Sequence, residues 1–349
     1  MKRLEKRLKR LLLLFIRILF PRTAHTHASV DWRSFERILV FRLDSRLGNC
    51  ILILPLVQAI KISLPQAHID VLITSRFSEI YENHPAINRV IPYDQGYLLK
   101  RPWRFLKIMR KLKQTGYDAV FSSSNPNTLS VSQAFFARMI TSGCTVGFKW
   151  RESEYLFTDV VVGRTDIFYG ESQVDLWRYF DAETQYQPPR IYIANHDSEQ
   201  SAQGVLIWLG ARGGKVIPEP LLMRIIHLLE KMRIDFSYAA GPADSGLVKK
   251  YTTEIAELVT ILSGNLRQTA QFLKRFRILI MPDTGPMHLA AALNIPLIQV
   301  FIESNKKWYG YQGDNQIILS EKDDVKIVRD FIVKHTGDQK YAGLGKVLQ

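Results

Sequence analysis

Short apolar runs alternate with amphipathic helical patterns along most of the chain. Residues 37–43 form a near-continuous apolar run that ends in the polar loop 44–49. Strands that are apolar along their whole length are typical of the centre of a parallel sheet. Further strands are predicted at residues 69–73, 90–93, 117–121, 204–209, 236–240, 278–281 and 297–301, and helices at 50–64, 103–115, 220–233, 268–276 and 323–335. This alternation predicts doubly wound α/β units with helices on both faces of each sheet.

Residues 278–293 contain several candidate functional groups within one short stretch. An apolar strand breaks at Pro282, passes through a turn and resumes as an Ala/Leu-rich helix. A helix that starts in this way leaves several backbone N–H groups unpaired at its N-terminus, where the helix dipole is positive. Such a terminus can bind an anion. Asp283, Thr284 and His288 add a carboxylate, a hydroxyl and an imidazole. The alternative is an ordinary turn in which Asp283 or Thr284 caps the helix and His288 has no chemical role.

A Gly-rich loop, residues 210–215, follows the predicted strand 204–209. It does not match the P-loop pattern, because Leu209 stands where that motif needs Gly and Val216 stands where it needs Ser or Thr. A looser prediction remains, in which the Gly backbone amides together with Arg212 and Lys215 hold a phosphate.

Residues 1–20 predict a basic amphipathic helix. Its leucines and isoleucines fall largely on one side and its lysines and arginines on the other, and Pro21 ends it. The apolar run 11–20 is about half the ~20 residues that a membrane-spanning helix needs, and Arg17 interrupts it. The pattern favours a helix lying on an anionic membrane surface, with residues 22–31 as a tether. A cleaved secretory signal and a helix packed on the body of the protein are the alternatives.

The predicted helix 103–115 is also basic. One interpretation is a helix packed on the core with a solvated basic face, and the other is a second surface facing a membrane or an anionic substrate. Nucleic acid is not expected as a partner, because no nucleic-acid-binding motif accompanies the charge.

Composition and charge narrow the possible partners and compartment. The chain has 349 residues, enough for two domains, and only two cysteines, Cys50 and Cys144. That count excludes a disulfide framework and a Cys-based zinc site, and it favours a reduced, cytosolic compartment. A net charge of +14 predicts an anionic partner, and on charge alone this is a nucleic acid, an anionic membrane surface or a phosphorylated substrate.

Two segments resemble a known family, the ADP-heptose:lipopolysaccharide heptosyltransferases of glycosyltransferase family 9. Residues 38–72, with Gly48 and Pro55, are similar to the family's N-terminal strand–Gly–helix–strand pattern. Residues 282–293 closely match its D-[ST]-G-x-x-H-L-A-A-A-L signature, and Pro296 follows. The resemblance extends from about residue 37 to about residue 302.

This resemblance implies a GT-B fold: two Rossmann-like domains facing a cleft, preceded here by the N-terminal amphipathic helix. The expected domains are residues 1–31 as membrane-surface helix and tether, 32–185 as acceptor-side domain and 186–349 as donor domain. The implied donor-binding residues are Lys215, which with Pro218 looks like the family's Lys-x-x-Pro element, Asp244, Asp283, Thr284, Gly285 and His288. The implied reaction is an inverting transfer from ADP-heptose to the lipopolysaccharide inner core, with neither a metal nor any other cofactor.

The chain departs from the family at its catalytic loop. The family's catalytic Asp usually follows the loop Gly, but Gly48 is followed by Asn49, and the loop is one residue longer. An Asn side chain cannot act as a general base, which must accept the proton of the attacking hydroxyl. The remaining candidate in the loop is Asp44, although another acid could reach in.

Three functions follow from these observations. The first is an active heptosyltransferase, cytoplasmic and peripheral on the inner membrane through residues 1–20, with Asp44 and Asn49 as its catalytic loop residues. The second is a catalytically impaired donor-binding or scaffold relative. The third is a GT-B enzyme that uses another nucleotide sugar or that epimerises one.

Overall fold

The structure is a computed structural model that describes residues 30–336 except 95, 129, 141–142, 151–152, 194–201, 249–250 and 252. The predicted amphipathic helix of residues 1–20 lies outside these residues. Within the described part of the chain, no helix combines the length and the hydropathy needed to cross a bilayer. The chain divides into two compact units between Pro189 and Arg190.

The first unit is built on a six-stranded parallel sheet in the order β3-β2-β1-β4-β5-β6. Its strands are β1 Arg37–Arg42, β2 His68–Thr74, β3 Arg89–Tyr93, β4 Ala119–Ser122, β5 Cys144–Phe148 and β6 Asp159–Val161. Its helices are α1 Leu47–Ile51, α2 Leu54–Ser63, α3 Tyr97–Lys100, α4 Pro102–Thr115, α5 Val131–Ile140 and α6 Tyr169–Arg178. Every residue of β1 after Arg37 is buried, as expected for the centre of a covered sheet.

The second unit repeats this topology, with the order β12-β11-β10-β7-β8-β9 and parallel pairing throughout. Its strands are β7 Val205–Trp208, β8 Phe236–Ala240, β9 Val259–Ile261, β10 Ile278–Pro282, β11 Leu297–Phe301 and β12 Gln316–Ser320. Its helices are α7 Glu219–Lys231, α8 Ser245–Val248, α9 Thr253–Leu258, α10 Leu266–Leu273, α11 Gly285–Ala292, α12 Lys306–Tyr309 and α13 Lys326–Thr336.

Both units therefore have the 3-2-1-4-5-6 strand order of the Rossmann fold, counted within each unit. In such sheets the chain adds strands first toward one edge and then, from the fourth strand onward, toward the other edge. Ligands bind beyond the carboxyl ends of the first and fourth strands, where this strand order reverses. These switch points fall at β1 and β4 in the first unit and at β7 and β10 in the second.

One predicted element is wrong in detail. Residues 50–64 were expected to form one helix, but α1 ends at Ile51 and α2 begins at Leu54. Pro55 explains the break, because its ring lacks an N–H and clashes with the carbonyl four residues earlier. At the second position of a new helix this missing N–H costs nothing.

Candidate functional site

In the second unit, the switch point brings together a lysine and a carboxylate that are far apart in sequence. Lys215 lies in a short 3₁₀ turn, Gly213–Lys215, after β7, and Asp283 directly follows β10. The Lys215 Nζ is 2.5 Å from Asp283 Oδ2. Asp283 is 4% exposed, whereas the Lys215 side chain is 39% exposed. An ammonium group has three N–H donors, so Lys215 can bond Asp283 and still offer donors to an anion.

His288 lies on the first turn of α11 and is buried beside the same carboxylate. Its Nδ1 is 2.9 Å from the Tyr311 hydroxyl, and its Nε2 is 3.8 Å from Asp283 Oδ1, too far for a hydrogen bond. Burial lowers the pKa of His288 well below its usual value. The negative charge of Asp283 raises this pKa, and the positive charge of Lys215 lowers it. His288 is therefore a neutral imidazole at physiological pH, and Tyr311 fixes its ring.

The first turn of α11 has no side-chain cap among the described residues, and its Met287 N–H donates to the Thr284 carbonyl at 3.1 Å. Thr284 precedes the helix in extended conformation, and its side chain makes no capping hydrogen bond. The Thr284 hydroxyl instead donates to the Pro282 carbonyl at 3.2 Å. The alternative in which Asp283 or Thr284 caps the helix is therefore wrong. The positive end of the helix dipole at Gly285 adds to the Lys215 charge.

Asp244 lies beyond the end of β8, in a 3₁₀ turn that starts at Pro242. Its carboxylate packs against Gly210, where an added Cβ would collide with Asp244 and would lie 2.9 Å from the Trp208 indole nitrogen. Burial raises the pKa of Asp244, although the Gly241 backbone and Arg212 oppose the shift. Gly210 thus allows Asp244 to approach the same loop that carries Lys215.

Three residues of this site have no counterpart among the sequence predictions. The centroid of the Tyr309 ring lies 5.9 Å from the Lys215 Nζ. The Glu303 carboxylate packs against Gly214, where an added Cβ would collide with it. With Tyr311, they follow β11, the strand next to β10. The one feature that could have pointed to these residues is that β11 pairs with β10. Loops that follow neighbouring parallel strands meet at one edge of the sheet.

The first unit presents a different set of groups at its own switch point. Asp44 follows β1, and its carboxylate accepts three hydrogen bonds: from Arg42 Nη2 at 2.8 Å and Asn49 Nδ2 at 2.9 Å on one oxygen, and from the Arg46 backbone N–H at 2.9 Å on the other. Partial burial would raise the pKa of Asp44, but Arg42 and these hydrogen bonds hold the pKa below its usual value. Asp44 is thus ionised at neutral pH, and its side chain is 22% exposed.

Arg42 connects this loop to other elements of the first unit. It is buried and donates to the Ser123 carbonyl at 2.9 Å, beyond β4, and to the Tyr169 hydroxyl at 2.6 Å, on α6. The buried guanidinium needs a negative partner, and Asp44 supplies it. Arg42 is not among the site residues predicted from the sequence, because an Arg at the end of an apolar strand does not reveal that it is buried.

Asn49 lies in α1, the short helix that follows the loop, and donates to Asp44 instead of facing it as a second acid. The structure therefore brings together Asp44 and Asn49 in one unit and Lys215, Asp283, Thr284, Gly285 and His288 in the other, with Asp244 at the adjoining strand end. Among the described residues, no group of three or more His, Cys, Asp or Glu side chains is arranged to hold a metal ion.

Comparisons with known proteins agree with this architecture. A sequence model of glycosyltransferase family 9 (heptosyltransferase) matches residues 224–330. The chain is 24% identical over 306 residues to lipopolysaccharide heptosyltransferase 1 of Escherichia coli K12, covering 81% of this chain and 92% of that protein. It is 24% identical over 304 residues to the Pseudomonas aeruginosa PAO1 protein of the same name, covering 81% and 83%.

Solved structures show the same fold. A family 9 glycosyltransferase from Veillonella parvula superposes with a TM-score of 0.70 at 19% identity, covering 88% of this chain and 90% of that one. The E. coli heptosyltransferase WaaC with ADP superposes with a TM-score of 0.67 at 21% identity, covering 86% and 99%. The resemblance seen in the sequence is thereby confirmed: the chain is a homologue of the heptosyltransferases of glycosyltransferase family 9 and, like them, a glycosyltransferase.

Proposed function

We propose that the chain transfers a heptose from ADP-heptose to the inner core of lipopolysaccharide, with inversion at the anomeric carbon and without a metal ion. The observation that carries the donor assignment is the Lys215–Asp283 pair at the uncapped start of α11. A nucleotide diphosphate leaving group needs positive charge where its phosphate oxygens become more negative. Lys215 and the α11 N-terminus supply it.

Support for the nucleotide and the sugar comes from relatives. Heptosyltransferase WaaC of E. coli has been solved with ADP and with ADP-2-deoxy-2-fluoro heptose. In this chain, we assign the diphosphate to Lys215, Thr284 and Gly285, and the nucleoside to the Asp244 side of the same loop. Asp283 and His288 are too buried to be the main ligands. We assign to Asp283 the role of holding Lys215 in place. We assign to His288 the role of packing beside Asp283.

In the proposed reaction, an acceptor hydroxyl oxygen attacks the anomeric carbon of the heptose. The bond between that carbon and the β-phosphate oxygen breaks, and ADP leaves with the bonding electron pair. The hydroxyl proton passes to Asp44, which is ionised and partly exposed and whose Oδ1 accepts only the Arg46 N–H among the described residues. Asn49 positions this base by donating to its other oxygen.

The second candidate is a donor-binding relative without transferase activity. The observation that favours it is the same loop: Asn49 replaces the family's usual acid, and three donors already bond Asp44. In this case the donor site is intact and the base is lost.

Incubation of the full-length protein with ADP-heptose and heptose-free lipopolysaccharide core tests both candidates. Transfer predicts a mass increase of the acceptor by one heptose, with one ADP released per acceptor. ADP-mannose serves as the matched donor control. Tight ADP binding with no acceptor product would overturn the transferase and leave the donor-binding protein, and transfer that requires added Mg²⁺ would overturn metal independence.

We further propose that residues 1–20 hold the chain at the cytoplasmic face of the inner membrane, where a lipid-linked acceptor is accessible. The basic and apolar sides of this segment suit an anionic leaflet. The full-length protein should sediment with anionic vesicles at low salt, and removal of residues 1–20 should greatly weaken sedimentation. Equal sedimentation of the two proteins would contradict this role.

A further inference from the structure

Helix α4, Pro102–Thr115, packs one side on the core, and no described residue covers the large apolar side chains on its opposite side. Met109 and Leu112 are buried in the core of the first unit, with Phe105 and Ile108 packed against it. The Phe105 ring lies 6.1 Å from that of Phe136 on α5. These four positions share one face at helical spacing, so the residues between them must point outward.

The outward face combines large apolar side chains with cations. Trp103 and Leu106 are 65% and 64% exposed, although both are bulky hydrophobic residues. Lys107 and Arg110 are exposed next to them, and the spacing 103, 106, 107, 110 places all four on one stripe. Single exposed apolar residues are common, but two on adjacent turns of one helix form a patch.

The segment that carries this patch has charged residues of one sign. No Asp or Glu occurs between residues 95 and 117, while the segment contains Lys100, Arg101, Arg104, Lys107, Arg110, Lys111 and Lys113. Among ion pairs between described residues, none includes a basic residue of α4. An excess of unneutralised cations is attracted to a surface of opposite charge.

We propose that the outward face of α4 docks on an anionic phospholipid bilayer. Trp is favoured at the membrane–water interface, where its ring lies among the headgroups. Leu106 enters beside it, and the lysines and arginines on either side contact lipid phosphates. A helix held flat on the core by its other face presents this stripe parallel to the membrane. The proposal concerns a surface of the first unit and does not depend on the donor chemistry.

Vesicle titration of the full-length protein tests the proposal, with 30% phosphatidylglycerol in phosphatidylcholine compared with phosphatidylcholine alone. Because K107E/R110E replaces two cations at the proposed contact with anions, it should lower the partition coefficient at least roughly tenfold. The exposed pair K322E/K326E changes the net charge equally and should lower it much less. W103S/L106S should also weaken binding, whereas I62S/L258S, at positions 63% and 69% exposed, should not.

Because residues 1–20 are also proposed to bind membranes, a second measurement locates the contact on α4. Lysine acetylation rates are measured by mass spectrometry with and without saturating anionic vesicles. The expected result is slower labelling of Lys107, with unchanged labelling of Lys322 and Lys326. Unchanged labelling of Lys107 in vesicle-bound protein would overturn the proposal, as would K107E/R110E and K322E/K326E variants that bind equally well.

Discussion

At the scale of single residues, the role of Asp44 can be separated from that of Asn49. If Asp44 is the general base, Asp44→Asn should lower the rate of transfer about 100-fold or more while leaving ADP affinity unchanged. The rate is measured by ADP release, and the affinity by calorimetry. Transfer at the wild-type rate in Asp44→Asn would show that another group takes the proton.

Asn49→Asp is the informative companion variant. It would place a second carboxylate against Asp44, where the Asn49 nitrogen now lies 2.9 Å from Asp44 Oδ2. Two carboxylates at this distance cannot both ionise easily, so the pKa of one rises. We expect the acidic limb of the pH–rate profile to move toward neutral pH. A profile identical to the wild type would mean that the loop carboxylates do not control the rate.

The lowered pKa of Asp44 also predicts how stability depends on pH. A carboxyl whose pKa is lower when folded contributes stability above its unfolded pKa, about 3.9, and loses it as pH falls through the folded pKa. At pH 7, Asp44→Asn leaves the buried Arg42 without its counter-charge and should cost about 3 kcal/mol in free energy of unfolding. Urea denaturation should show this difference shrinking below about pH 4. A difference that does not change with pH would contradict the ion pair.

Lys215 is expected to contribute to ADP affinity through a charge-assisted hydrogen bond. Such bonds contribute about 1.5–3 kcal/mol, so Lys215→Met should weaken ADP binding roughly 10- to 100-fold. The exposed Lys322→Met is the control. Because Lys215→Met leaves Asp283 buried without a partner, the double variant K215M/D283N should recover thermal stability but not ADP affinity. Wild-type affinity in either Lys215 variant would exclude Lys215 from the diphosphate site.

At the scale of elements, the loop after β7 depends on a close approach at Gly210. A methyl group there would collide with Asp244 and with the Trp208 indole. Gly210→Ala should therefore displace Asp244 and weaken ADP binding at least about tenfold, on the scale of one lost charged hydrogen bond. Gly246→Ala is the matched control, because nothing lies within 4 Å of its added Cβ. Equal ADP affinities of the two variants would show that the Asp244 position is not important.

Most of the helices and strands predicted from the hydrophobic pattern lie close to their predicted bounds. The strands β8 and β11 match their predicted bounds, and most other predicted elements differ from the observed ones by one to three residues at an end. The short strands β6 and β9 have three residues each, too few for a periodic signal to develop. They exist because neighbouring strands supply their hydrogen-bond partners, which is tertiary information.

At the scale of the whole molecule, the residues that we assign to the donor site all lie in the second unit. ADP at 100 times its Kd should stabilise the state that binds it by about 2.7 kcal/mol. Amide hydrogen exchange should therefore slow on ADP binding chiefly around 209–216 and 283–288, and not around 42–50. Protection confined to the first unit would place the nucleotide elsewhere.

The α/β class, the resemblance to the heptosyltransferases and the proposed anion-binding turn of residues 282–288 could all be predicted from the amino-acid sequence, because each depends on local periodicity or on contiguous residues. Which side chains meet depends on the fold. Lys215 and Asp283 are 68 residues apart, and the Rossmann strand order joins them by placing β7 beside β10. The same applies to Arg42, whose partners Ser123 and Tyr169 come from β4 and α6. Burial and pairing at strand ends depend on sheet topology, which the pattern of a single strand does not contain.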